Sequence, residues 1–295
     1  MVSKEMKKVI TLLERFQSEE PSVEETRKTL KQMTKLSKIP DDINFEPVDI
    51  DGIKGEWITA PNSRSEKVLY YLHGGGFVAG SIDTHRDLVS RICRIAKVRG
   101  LMIDYRLAPE HPFPAALEDA FKAYKWLINE KKVETSNLVI GGDSAGGGLT
   151  FSVLIKARDG DLPLPAAAVV ISPATDLAGE GVSFFKKADV DPFLTPELGE
   201  LFRDCYLEET NPKNPLASPL YADLHGLPPI YIQVGTSEIL LDDSKRIAKK
   251  LESENVDVEL DVWEDMIHVF AAFGDLAPEG KEGTKKIAEF IKEHI

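Results

Sequence analysis

Cysteine is nearly missing from these 295 residues: only Cys93 and Cys205 occur, far apart and outside any C-x-x-C spacing. That argues against a disulfide framework and against a thiolate zinc site, because both need paired or clustered sulfurs. No apolar run approaches the roughly 18 residues of a membrane-spanning helix, and the N-terminus lacks the apolar stretch of a secretory signal. A cytoplasmic protein with no membrane insertion is the expectation. Positive charge is also short, since 36 Lys and Arg face 49 Asp and Glu for a formal net charge of -13. A surface of that sign repels phosphate backbones, so nucleic acid is not an expected partner. Neither internal repeats nor a low-complexity linker is present. What is there is a 42% hydrophobic chain, long enough to bury a large core.

The first forty residues read as two amphipathic helices, with Val9, Leu12, Leu13 and Phe16 on one face of the first and Leu30, Met33 and Leu36 on one face of the second. Pro21 breaks the pattern between them, and Ser22 followed by Glu25 has the spacing of a capping box. After Pro40-Asp41-Asp42, alternation over 45–50 and 56–59 predicts an antiparallel strand pair. From Val68 onward short apolar runs at 68–72, 101–105, 138–140, 167–171, 230–234 and 256–262 are separated by helix-like segments. That is the pattern of a mostly parallel sheet covered by helices on both faces. The stretch 179–219 interrupts it with Phe184, Phe185, Phe193 and Phe202 set among prolines and acids. So long an excursion reads as a helical element, not a loop. Four segments follow: cap helices over 1–42, the first part of an α/β core over 43–178, a cap insertion over 179–219 and the second part of the core over 220–295. The cap pieces are expected over the sheet's carboxyl edge, where open α/β folds bind ligands.

The run at 138–140 leads into Gly142-Asp143-Ser144-Ala145-Gly146, and a helix-like segment follows at once. This is G-x-S-x-G in a strand-turn-helix setting. Putting a serine at the tip of so tight a turn requires unfavourable dihedrals at the serine and almost no bulk beside it. The helix that begins there aims free N-H groups at whatever sits over Ser144, which suits a developing oxyanion. A serine is a weak nucleophile without a base, and the base needs a partner to hold its tautomer. Of six histidines, His85, His111 and His225 lie before or between elements already assigned to the sheet, and His294 is terminal, whereas His268 falls just past the last apolar run. The acid should follow the penultimate strand, where Glu238 and Asp242 stand one helical turn apart. Spacing does not separate them. Glu238 is nearer the strand end and is the candidate taken here, while Asp242 and Asp243 suit the first turn of the next helix.

A second glycine motif, His73-Gly74-Gly75-Gly76-Phe77, follows the run at 68–72 and lets backbone amides approach a ligand closely. Gly74, Gly76 and Ala79 also fit a loose dinucleotide fingerprint, with Asp104 as its ribose acid. That reading leaves Ser144 and His268 without a task.

Together, HGGGF, the segment from Asp104 through Arg106 and Pro109 to Pro114, GDSAGG, Ser172-Pro173 with Asp176 downstream, and Met266-Ile267-His268 resemble the hormone-sensitive-lipase family of α/β-hydrolase esterases over nearly the whole chain. The resemblance implies an α/β-hydrolase fold with a helical cap, and a serine carboxylesterase acting on short- to medium-chain esters through an acyl-enzyme. It implies Ser144 as nucleophile, His268 as base, and the amides of Gly75, Gly76 and Ala145 as oxyanion donors. His73 and Asp143 are assigned to loop support. Where members usually carry Asp-Pro-Leu, this chain has Glu238-Ile239-Leu240; glutamate is one methylene longer and can still orient an imidazole. No metal or cofactor is required, the expected partner is a small-molecule ester, and a homodimer is familiar among similar esterases. A lactonase or amidase could use the same residues. A binding-only protein, as the plant gibberellin receptors of this family are, would lack a complete triad.

Overall fold

The structure is a computed structural model that describes residues 2–17, 21–36 and 38–295. Serine starts each of the first two helices. Ser3 accepts Met6 N at the head of α1 (Lys4–Glu14), and Ser22 accepts Glu25 N at the head of α2 (Val23–Met33). The predicted capping box at Ser22 is only half formed, with the Glu25 side chain exposed. The Ser22 amide can be hydrated there, so little favours the return bond.

The predicted hairpin is β1 (Asn44–Ile50) and β2 (Ile53–Thr59). Strand and helix then alternate as β3 (Arg64–Leu72), α3 (Ile82–Ala96), β4 (Val98–Ile103), α4 (Ala115–Asn129), β5 (Leu138–Asp143), α5 (Ala145–Asp159) and β6 (Ala167–Ile171). The excursion holds α6 (Val182–Lys186) and α7 (Pro196–Leu207), after which β7 (Ile230–Gly235), α8 (Leu241–Ser253), β8 (Val258–Trp263) and α9 (Pro278–His294) complete the chain. The sheet order is β1-β2-β4-β3-β5-β6-β7-β8. β2 runs antiparallel to both neighbours and the remaining pairs are parallel.

Alternation along the central strands supplies two apolar faces. Tyr70, Leu72, Ile140 and Ile232 pack into one layer with α4, α5 and α8, while Leu69, Tyr71, Val139 and Tyr231 pack into the other with α3 and α9. Each fully buried side chain of this size contributes about 1.5–3 kcal/mol. Two runs reach beyond the strands they predict. β4 stops at Ile103, because Asp104 turns out to accept Ile82 N at the start of α3 and Tyr105 O-H turns back to the His73 carbonyl. β8 begins only at Val258, since Val256 N bonds to Leu251 O and closes the end of α8. Asp104 is thus engaged as a helix-start acceptor, the opposite of a free ribose acid.

The apolar face of α1 (Met6, Val9, Leu13) sits on Met266, Ile267 and Phe270 of the loop that carries His268. Among the described residues no helix is long and apolar enough to cross a membrane, and no group of three or more His, Cys, Asp or Glu could hold a metal ion.

Candidate active site

β5 ends at Asp143, and the chain reverses into α5 through Ser144, held at φ 52 and ψ -122. Such a dihedral costs about 1–3 kcal/mol for a residue with a Cβ and persists only where the surroundings impose it. Here they do. Ser144 N donates to Ile171 O at 2.9 Å and Ser144 O accepts Ala174 N at 2.9 Å, so the end of β6 grips the turn from both sides. The flanking glycines are steric necessities: a Cβ on Gly142 would strike the Gly146 carbonyl, and one on Gly146 the carbonyls of Leu72 and His73.

The HGGG loop is braced from behind. Tyr105 stacks on the His73 ring at 4.1 Å and donates to the His73 carbonyl at 2.7 Å. The His73 ring donates through Nδ1 to the Gly74 carbonyl, and burial pushes its pKa down to about 3, so it stays neutral at any working pH. Asp143 joins this loop to the elbow. Its carboxylate accepts Tyr71 O-H at 2.9 Å and Gly74 N at 3.2 Å, with His85 Nε2 3.3 Å away. Burial would raise the Asp143 pKa, but His85 and the Tyr71 hydroxyl hold it below the usual value.

Glu238 and His268 are brought together by two laced loops: Ser237 N donates to Met266 O and Thr236 N to Trp263 O, each at 2.9 Å. Glu238 is fully buried. Its Oε2 accepts Ser172 O-H at 2.8 Å and Gly235 N at 3.1 Å, and Oε1 lies 3.4 Å from His268 Nδ1. That last contact is longer than the roughly 2.7–2.9 Å of a charge-assisted bond. Burial acts to lower the His268 pKa, yet the hydrogen bond and charge of Glu238, with the charges of Asp191 and Asp143 behind it, leave it raised. Asp242, the other sequence candidate, is turned away and accepts Ser183 N at 2.9 Å in the cap. Asp243 likewise accepts Thr175 N and Asp176 N. Neither acid caps its own helix: each ties another segment to α8.

Gly75, Gly76, Asp143, Ser144 and His268 line one cavity of about 170 Å³, roofed by Leu30, Met33 and Leu36 and by Phe193 and Phe202. Ala145 lies instead on a smaller cavity of about 70 Å³, which shares Gly76, Ser144, Leu194 and Phe202 with the first. Glu238 stands behind the imidazole, and His73 behind the glycines. Ser144 and His268 line the same cavity, and among the described residues the serine hydroxyl makes no hydrogen bond to the imidazole, whose contacts run to Glu238 and through it to Ser172. Three participants escaped the sequence reading. His85 was set aside by its place in the chain, yet it lines the cavity. Ser172 was part of a motif without a task, yet its hydroxyl donates to Glu238 and accepts Val269 N at 3.1 Å. Asp191, whose charge acts on His268, lies in the excursion and was part of no motif.

Comparisons with known proteins bear on the fold and the family. The alpha/beta hydrolase fold family matches residues 69–272. An acetyl-hydrolase of Streptomyces hygroscopicus is 38% identical over 245 residues, 83% of this chain and 81% of that protein. An esterase of Acinetobacter venetianus is 34% identical over 90% of this chain and 87% of its own. Among solved structures, an esterase from the bacterial hormone-sensitive lipase family superposes with a TM-score of 0.97 at 42% identity, covering 100% of this chain and 99% of that one. With a strained serine elbow, a glycine loop and a buried acid–imidazole pair on one sheet edge, and relatives that match over nearly its whole length, this chain belongs to the α/β-hydrolase fold family and, within it, to the hormone-sensitive-lipase esterases.

Proposed function

We propose that this carboxylic-ester hydrolase works by acyl transfer through Ser144. The observation that carries the reading is the buried Glu238–His268 pair facing the same cavity as a serine held in a strained turn at a helix N-terminus. Ser144 Oγ attacks the ester carbonyl while His268 Nε2 takes its proton, and Glu238 holds the Nδ1-H tautomer and balances the imidazolium. The amides of Gly75, Gly76 and Ala145 receive the oxyanion. His268 then protonates the departing alcohol, and water cleaves the acyl-serine with the same imidazole as base.

The two cavities support a division of the substrate. The leaving oxygen has to reach the imidazole, and His268 lines the larger cavity and not the smaller one. The alcohol therefore takes the 170 Å³ arm, and the acyl chain takes the 70 Å³ arm beside Ala145. Short- to medium-chain acyl groups fit this reading, with the short end favoured. Ser144→Ala is expected to abolish hydrolysis of p-nitrophenyl butyrate and labelling by a fluorophosphonate. Turnover that survives the substitution overturns the proposal, and a chain-length series from acetate to octanoate maps the smaller arm.

A further inference from the structure

The cap contributes one buried charge that the mechanism above leaves without a task. Asp191, in the loop between α6 and α7, is 2% exposed. Its Oδ1 accepts Phe193 N at 3.0 Å and Leu194 N at 2.9 Å, closing a turn of its own loop. Its Oδ2 accepts Ile239 N at 3.0 Å, reaching 48 residues along the chain to the peptide that follows Glu238. An asparagine would close the turn equally well, since one oxygen suffices for it. The second oxygen and the charge are what the turn does not explain.

Burying a carboxylate is costly unless something opposes its charge. Three amides do so in part, and the ionisable group that acts on Asp191 is His268. Burial pushes the Asp191 pKa up to about 6, with His268 and the three amides acting in the other direction. The influence is mutual, because the charges that raise the His268 pKa come from three elements: Glu238 in the loop after β7, Asp191 in the cap and Asp143 at the end of β5. The same carboxylate also sets the roof, since Phe193 and Leu194, whose amides it holds, both line the larger cavity.

We infer that Asp191 is a positioning residue for the acyl-transfer reaction: from the cap it holds the Glu238–Ile239 peptide in place behind the imidazole and adds a second negative charge to the field in which His268 becomes cationic. The inference rests on the roles given above to Ser144, His268 and Glu238. It links roof and floor through one side chain, so a cap that shifts also shifts the acid.

The test compares Asp191→Asn, which keeps the turn but sets an amide NH2 against Ile239 N-H, with Asp191→Ser, whose hydroxyl can still accept from the turn. Thr195→Ala serves as a control; it removes the side chain that accepts Leu198 N at the head of α7, so it loosens the cap without touching Ile239 or any charge. kcat and KM for p-nitrophenyl acetate are measured against pH, per active site counted by fluorophosphonate labelling. Both Asp191 variants are expected to lose roughly ten- to a hundredfold in kcat, as small misplacements of a catalytic group do, with KM within about threefold. The acid limb of kcat/KM should move to lower pH, because an imidazole that loses a neighbouring negative charge ionises less readily. Thr195→Ala should leave that limb in place. A wild-type kcat and limb in either Asp191 variant overturns the inference, as does an equal shift in Thr195→Ala. If Asp191→Asn fails to fold, Asp191→Ser gives the same readout. Ser144→Ala separates the two levels: activity surviving there sinks the parent reading, whereas a silent Asp191 with an inactive Ser144→Ala sinks only this one.

Discussion

The floor and the roof of the cavity are held by different kinds of bond. The floor consists of strand ends whose backbones are fixed against one another: Ser144 between Ile171 and Ala174, and Ser237 on Met266. Its non-glycine residues at positive φ include Phe77, Ser144, Ser172 and Val269, conformations that persist only where the surroundings impose them. The roof is assembled from helices α2, α6 and α7, fastened mainly by side chains, with one backbone bond from Phe113 N to Tyr206 O of α7 at 2.7 Å. Arg27 donates to the carbonyls of Val78 and Ala108, Ser183 and Asp242 exchange hydrogen bonds between α6 and α8, and Asp191 reaches Ile239. Backbone lattices tolerate little displacement, while side-chain pins allow shape to vary. On the roles proposed above, the reacting groups stand in the floor and substrate selection falls to the roof, with Asp191 the roof side chain that acts on the floor.

Substitutions in each region test that division. The largest effect after Ser144→Ala is expected at Glu238→Gln, with kcat/KM falling by about 10⁴-fold as it does when a triad carboxylate becomes an amide. The residual activity should titrate at lower pH. His268 acts as a base only when neutral, its pKa is held up by Glu238, and removing that charge lowers it. His73 is neutral throughout and adds nothing to this limb. Asp242→Asn, on the cap side of α8, should stay within a few-fold of wild type; the reverse order of these two variants would reassign the acid. Gly76→Ala comes next. Gly76 has φ +63, and a Cβ there would enter the Phe202 ring, so the loop and its amides must move. A fall of about 10²–10³ in kcat matches the loss of one oxyanion donor.

A roof variant should behave differently. Phe202 lines both cavities, so Phe202→Ala joins them. Hexanoate and octanoate esters should gain on acetate by roughly tenfold, in line with the 10–200-fold worth of a methylene in an apolar pocket, while acetate kcat stays within a few-fold. A collapse of acetate kcat would mean that Phe202 itself takes part in the chemistry. The smallest effect is expected at Phe185→Ser on the outer face of α6, where the residue is 62% exposed. Its stability in denaturant titration should change by no more than about 0.5 kcal/mol.

Much of the floor was legible because its constraints are local. The glycines around Ser144 and in the HGGG loop record where a backbone must turn tightly, and that requirement shows in the residue types themselves. The six apolar runs correspond to β3 through β8, because a strand buried on both faces has to be apolar along its length, as β5, β6 and β7 are; β8, at the sheet edge, is only half-buried. Strand ends were less legible. Asp104 and Tyr105 look like continuation of an apolar run, and only their partners at Ile82 and His73 take them out of the sheet. The half-formed capping box at Ser22 shows the same limit, because spacing permits a return bond but solvent exposure removes the reason for it.

The sequence by itself determined the elbow, the glycine loop, the order of acid and imidazole and the alternation of strand and helix, since each is a demand on neighbouring residues or on periodicity. Only the tertiary structure decided that Glu238 and not Asp242 stands behind His268, that His85 and Ser172 belong to the site, and that a carboxylate from the cap reaches the acid's own peptide. Glu238 and Asp242 differ by one helical turn along the chain, and at Asp191 the deciding partner lies 48 residues away. Contacts of that kind depend on which loops the finished sheet places side by side, and local spacing carries no record of them.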